Sequence, residues 1–151
     1  MRFASYQPCW SCAVPLAIDM VLPWPWSLPR YIDNISVTGT HKGMPWKQDF
    51  FNHYVDLWLP WRIGFVHGGN HSITAGILAG EGFVIPEHVY DMSYLFELAR
   101  TDGVHWFVNG NKVEAVKSGR SAAVFEIGRL MVNEKITLRG NLCLKTSFLS
   151  S

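Results

Sequence analysis

The apolar and polar positions change period several times along the chain, and each change marks an element. Residues 14–21 (V-P-L-A-I-D-M-V) carry the branched apolar mix of a strand, halted by Pro23, Pro25 and Pro29. Residues 22–30 (L-P-W-P-W-S-L-P-R) must run extended, because each Pro lacks a donor and pushes its predecessor toward β or polyproline II. That segment reads as a rigid wrap over the core in preference to a partner motif. A short helix is expected over residues 31–36 and a turn over 39–43. Residues 46–58 set apolar side chains at 46, 50, 51, 54, 55, 57 and 58, a helical spacing that Pro60 ends. Residues 61–67 (W-R-I-G-F-V-H) predict a buried strand, then Gly68-Gly69-Asn70 a tight loop. A helix over residues 71–79 follows, with Ile73 and Ile77 on one face, mid-helix Gly76 for a close crossing, and Gly80 as its stop.

The second half is shorter in rhythm. Residues 82–85 and 87–92 predict strands, and Ser93 or Asp91 caps a helix through Arg100. Residues 104–108 and 111–116 flank Asn109-Gly110, a strong hairpin signal. Residues 121–132 predict a mostly buried helix, with Val124, Ile127 and Met131 in phase and Gly128 for close approach. A last strand is expected over 135–144, an irregular lead-in over 1–12 and fraying over 146–151. With no repeat or linker, residues 1–151 read as one α/β domain: a compact mixed sheet with flanking helices and a C-terminal hairpin plus helix.

Composition narrows the function classes. With 48% apolar and 17% charged residues, disorder is excluded. The longest apolar run, residues 13–22, holds Pro15 and Asp19 and falls short of the about 20 residues a membrane helix needs. The first ten residues lack a secretory apolar stretch, so a cytoplasmic protein is expected. A net charge of +1 and the absence of a basic run argue against strong duplex DNA binding. Six of the 7 Trp precede Arg62, and core or partner packing is the favoured use over base stacking. Cys9-Trp10-Ser11-Cys12 has C-x-x-C spacing, yet no second pair follows and Cys143 stands alone, so no zinc is expected. His41, His53, His88 and His105 show no metal-ligand spacing, and no metal site is predicted.

The most legible chemistry is the strand–G-G-N-H-S–helix passage. Glycines permit a sharp turn and close approach, and the helix that follows offers unpaired N–H groups and a positive dipole end. Together these suit a phosphate, with Gly68, Gly69, Asn70, His71 and Ser72 as its ligands. The plainer alternative is that Asn70 or Ser72 caps the helix and His71 is an ordinary half-buried imidazole. Glu81 is a second candidate beside His71 for catalysis, against the alternative of a solvated Glu. Asp91 reads as a metal carboxylate or a cap, and Glu126 with Arg129 as a partly buried pair.

Residues 61–85, F-V-H-G-G-N-H-S-I-T-A-G-I-L-A-G-E-G-F-V-I-P at their heart, resemble the core motif of the ParB/sulfiredoxin-like superfamily: strand, glycine–histidine loop, helix, strand. Residues 14–30, ending P-W-S-L-P-R, are similar to that family's opening strand and its P-x-x-x-R finish. The strings G-N-H-S-I and F-E-I-G-R-L are also similar to bacterial proteins with no assigned activity. The resemblance implies a nucleotide phosphate held by the loop, with a nucleoside triphosphate and magnesium as cofactors and hydrolysis or phosphotransfer as the activity. The family's Arg after the His is Ser72 here, which leaves Arg30 or Arg62 to supply the charge. Sulfinic-acid reduction is excluded, since Asn70 stands where that chemistry needs Cys. The rival class is a non-enzymatic interaction module, a protein partner or second copy docking on the Trp-rich N-terminal half.

Overall fold

A computed structural model describes residues 12–136. Thirteen short elements follow one another: strands β1 (Val14–Pro15) and β2 (Val21–Leu22), helix α1 (Leu28–Val37), strands β3 (Val55–Leu59) and β4 (Ile63–Val66), and helix α2 (Asn70–Ala79). Then come β5 (Phe83–Val84), β6 (His88–Asp91), the one-turn helix α3 (Leu95–Leu98), β7 (Ala99–Thr101), β8 (His105–Val108), β9 (Asn111–Ala115) and helix α4 (Gly119–Asn133). The class is mixed α/β, with three sheets and four helices among the described residues. No helix among them is long and apolar enough to cross a membrane.

The central sheet has the order β2-β4-β3-β6. β2 runs parallel to β4 and β6 parallel to β3, while β3 and β4 form an antiparallel pair. Alternation along β3 sends Val55, Leu57 and Leu59 inward and leaves Asp56 and Trp58 on the other face. The inner face joins Val14 of β1, Val84 of β5, Ile73 of α2, Leu16 and Trp46 in one buried cluster. The outer face carries Leu22, Phe65, Trp58 and Tyr90, all at least partly exposed, with Trp58 against both Phe65 and Tyr90.

Several expectations change here. Residues 46–54 are not helical: Asp49 turns the chain by accepting from the Phe51 N–H at 3.0 Å, and V-D-L-W-L obeys the strand period instead. Trp46 leaves the expected helix to lie along α2, where its indole N–H donates to the Ser72 carbonyl at 2.8 Å. The expected strand 14–21 breaks into β1 and β2 at a turn where Ile18 and Asp19 both donate to the Pro15 carbonyl. Pro29 opens α1 within its first turn, so the extended segment ends sooner and the helix is longer than the 31–36 expected. Trp24 and Trp26 are 80% and 67% exposed, so residues 24–27 are no wrap of rings into the core. The helix expected through Arg100 stops at Leu98, because residues 99–101 pair with β8.

The C-terminal hairpin is as expected, with Asn109 at φ 49° and Gly110 at φ 79° in its turn, and β7 widens it to three strands. Ser118 caps α4 by accepting from the Ser121 N–H at 3.2 Å. That helix is not mostly buried: Val124, Ile127 and Leu130 are exposed, and Ala122 and Gly128 alone are buried. Gly128 does serve a close approach, since a Cβ there would sit 2.5 Å from the Trp61 indole. Trp61 also donates to the Val124 carbonyl at 2.8 Å and meets Phe96 edge-on, so one ring fastens α3 and α4 to the central sheet. The lead-in through residue 11, with Cys9, and all but the start of the strand expected over 135–144 lie outside the described residues. So do Cys143 and the tail 146–151.

Candidate functional site

The loop after β4 forms as the sequence suggests, with Gly69 at φ 72° as the N-cap of α2. No side chain caps this helix. The first helical bond runs from the Ile73 N–H to the Gly69 carbonyl at 2.9 Å, so the amides of Asn70, His71 and Ser72 precede the ladder. The space left by the glycines is filled by the protein itself. A Cβ on Gly68 or Gly69 would lie 2.8 or 2.9 Å from the Asn52 carbonyl, against a backbone that cannot swing aside.

The polar side chains of the loop are also engaged. Asn70 Oδ1 accepts from the Trp24 N–H at 2.6 Å, and His71 Nε2 accepts from the Ser27 N–H at 3.0 Å. In a segment punctuated by prolines these two donors would otherwise need water, so α2 holds residues 24–27 by its first two side chains. Accepting at Nε2 leaves the His71 proton on Nδ1. The Ser72 hydroxyl oxygen accepts from the Trp46 indole N–H at 3.2 Å. Asn70, His71 and Ser72 therefore position neighbouring chain, and the loop's remaining binding capacity lies in its amides.

Of the two arginines, the structure brings one to this end. Arg30 on α1 lies 5.3 Å from the ring centre of Trp26, whose edge meets His71 at 5.3 Å. Arg62 belongs elsewhere. It precedes β4 while the loop follows it, it is 4% exposed, and it pairs with Asp19 at 2.8 Å while donating to the Ala13 carbonyl at 2.6 Å. Four strand residues, about 13 Å, separate the two ends. Glu81 is likewise remote, past the C-terminal end of a ten-residue helix about 15 Å long. Its carboxylate accepts from Thr40 Oγ1 at 2.6 Å, the Thr40 N–H at 3.1 Å and the Trp46 N–H at 2.8 Å. The Thr40 hydroxyl, then the two N–H groups, hold its carboxyl below the usual range; it braces a turn.

Asp91 acts as a local cap, accepting from the Ser93 N–H at 2.9 Å. Glu126 pairs with Arg129 and accepts from the Thr101 N–H at 2.9 Å. His53 stacks on Trp46 and accepts the Asp49 N–H at Nδ1 over 2.8 Å; burial pushes its pKa down, partly opposed by the Asp49 charge.

A second cluster was invisible to spacing along the chain. Asp56 of β3, His67 after β4, Glu87 and His88 of β6 meet at one end of the sheet's outer face. His88 Nδ1 lies 3.0 Å from Asp56 Oδ1, and His67 Nε2 lies 3.3 Å from the same oxygen and 3.5 Å from Glu87 Oε2. The signal that could have found it was strand register: Asp56 is opposite His88, and alternation puts His67 on the face of Phe65.

Comparison with known proteins adds a family and no activity. No curated protein matches the chain, and no solved structure does. A family model described as "Family of unknown function (DUF6710)" matches residues 6–138. That span is most of the chain, and the protein belongs to the DUF6710 family.

Proposed function

We propose that the chain binds a nucleotide or a related phosphate ligand at residues 68–72, through the first-turn amides of α2, with Arg30 as the nearby cation. The observation that carries this reading is the uncapped amino end of α2, with the Arg30 guanidinium over the Trp26 ring that in turn meets His71. A helix terminus contributes about 0.3–1 kcal/mol per charge, up to about 2 when partly buried, so the amides alone bind weakly and the Arg30 charge is needed. The order β4, glycine loop, α2, β5, with β2 parallel to β4, is compatible with the ParB/sulfiredoxin-like arrangement that the loop resembles. With Glu81 and Arg62 far from the loop, the reading is one of binding, and hydrolysis has no assembled machinery there.

Thermal melting of the wild type and of Arg30→Gln against ATP, CTP, GTP and ADP, each with and without magnesium, tests it. Arg30 is exposed, so its neutral replacement leaves the fold intact. At least one ligand should raise the wild-type midpoint, and the variant should lose that rise. No shift in the wild type, or an equal shift in the variant, removes the loop from consideration. The exposure of Trp24 and Trp26 favours a second reading, in which this segment docks a protein partner and the loop serves only to hold it. Under that reading no phosphate ligand moves the midpoint.

A further inference from the structure

Three ligating side chains, Asp56, Glu87 and His88, converge at one end of the β3–β6 ladder, and His67 approaches their carboxylates. Asp56 pairs directly with His88 across the parallel β3–β6 ladder, and Glu87 is anchored beside them by donating its N–H to the Val55 carbonyl at 2.8 Å. His67 enters from the other side of β3, one residue beyond β4. The ligand atoms of Asp56, Glu87 and His88 all lie within 4.8 Å of one another, and His67 approaches both carboxylates at 3.3 and 3.5 Å.

Those separations suit a shared ion better than simple pairing. Ligands bonded to one ion at about 2.0–2.1 Å stand about 3.0 Å apart in an octahedron and about 3.3–3.4 Å apart in a tetrahedron. The distances of 3.0, 3.3 and 3.5 Å bracket that range. The His88–Asp56 contact is also a good hydrogen bond. The two His67 contacts are longer than good N–H···O bonds, and one ring nitrogen cannot donate to both carboxylates at once. Among the described residues no Lys or Arg pairs with Asp56 or Glu87, so two adjacent carboxylates lack a cation.

The surroundings restrict the rings and leave access. His67 stacks on Tyr54 with ring centres 5.8 Å apart, and His88 lies beside Tyr90 at 6.0 Å. The carboxylates are 24% and 25% exposed and the imidazoles 48% and 41%, so an ion could enter from solvent and keep a water. We propose that Asp56, Glu87 and His88 form a site for one divalent transition-metal ion on the outer face of the central sheet, with His67 at its edge within reach of both carboxylates. A mixed set of nitrogen and oxygen donors selects a zinc-type ion over magnesium or calcium, which prefer all-oxygen shells. The two carboxylates balance its charge. The site is independent of the phosphate loop, although His67 adjoins Gly68.

The test is calorimetric titration of tag-free, chelator-treated protein with zinc, repeated on the His67→Gln/His88→Gln double variant, on Asp56→Asn and on His105→Gln. Far-ultraviolet circular dichroism checks that each variant folds, and Asp56→Asn preserves shape if the double variant does not. The wild type and His105→Gln should take up one zinc per chain, resistant to a tenfold excess of magnesium. The double variant and Asp56→Asn should each bind about tenfold more weakly or worse. Absence of saturable uptake by the wild type, unchanged affinity in the folded cluster variants, or displacement by magnesium would overturn the assignment.

Discussion

At the scale of single residues, the informative groups are those whose polar atoms the fold has committed. His53 is buried and stacked on Trp46, and burial pushes its pKa below the ordinary 6.5 while the Asp49 charge pulls the other way. A depressed folded pKa means the unfolded chain binds the proton more readily. The contribution of His53 to stability is therefore complete above about pH 6.5 and is lost as pH falls from there through its folded pKa. Denaturant midpoints measured between pH 8 and 5 should decline on the acid side, and His53→Gln should flatten that part of the profile. An unaltered slope in the variant would assign the decline to other groups. His71 was legible as a loop residue, but not as the acceptor for the Ser27 N–H. That partnership joins residues 44 positions apart, and no local pattern encodes it. Arg62 was misplaced for a related reason: sequence proximity to β4 says nothing about which end of a strand a side chain serves.

At the scale of elements, α2 was read nearly to the residue because its glycine stop and its apolar face agree. The segment from Trp46 to Trp58 failed because aromatic residues are apolar in any conformation, and five of them, with Val55 and Leu57, imitate a helical stripe in a short window. The turn chemistry of Asp49 and the alternation V-D-L-W-L decided against the helix. What replaces it explains Gly76. A Cβ there would stand 2.7 Å from Leu16 Cδ1 and 2.9 Å from Trp46 Cδ1, so the close crossing is with a turn and an indole. Gly76→Leu should destabilise by roughly 1–3 kcal/mol through overpacking, despite the better intrinsic helix propensity of Leu. Chemical denaturation with a midpoint at or above that of the wild type would show that Trp46 can give way. α4 shows the opposite failure. Its apolar phase was real, but the phase only says which residues share a face, and here that face looks outward.

At the scale of the whole molecule, the mixed α/β class and the C-terminal hairpin plus helix were legible, because both depend on local signals. The division into three sheets was not, since it depends on which dipeptide strands find partners far along the chain. The Asp56, His67, Glu87 and His88 cluster belongs to this scale too, as a product of register. The single ring of Trp61 that fastens α3 and α4 has a further consequence. Among the described residues, every member of the central buried cluster lies at or before Val84, with Val66, Ile77 and Val89 packed against it. The three-stranded sheet and α4 thus lie outside that cluster and should open as a cooperative unit of their own. In native-state hydrogen–deuterium exchange, amides of β8 and β9 should open by a sub-global route and lose protection well before those of β3. Trp61→Ala should widen the gap by lowering the first opening free energy and leaving the second close to its wild-type value. Equal protection across both sheets would mean that the Trp61 contacts couple the three-stranded sheet and α4 to the central sheet as firmly as a shared core would.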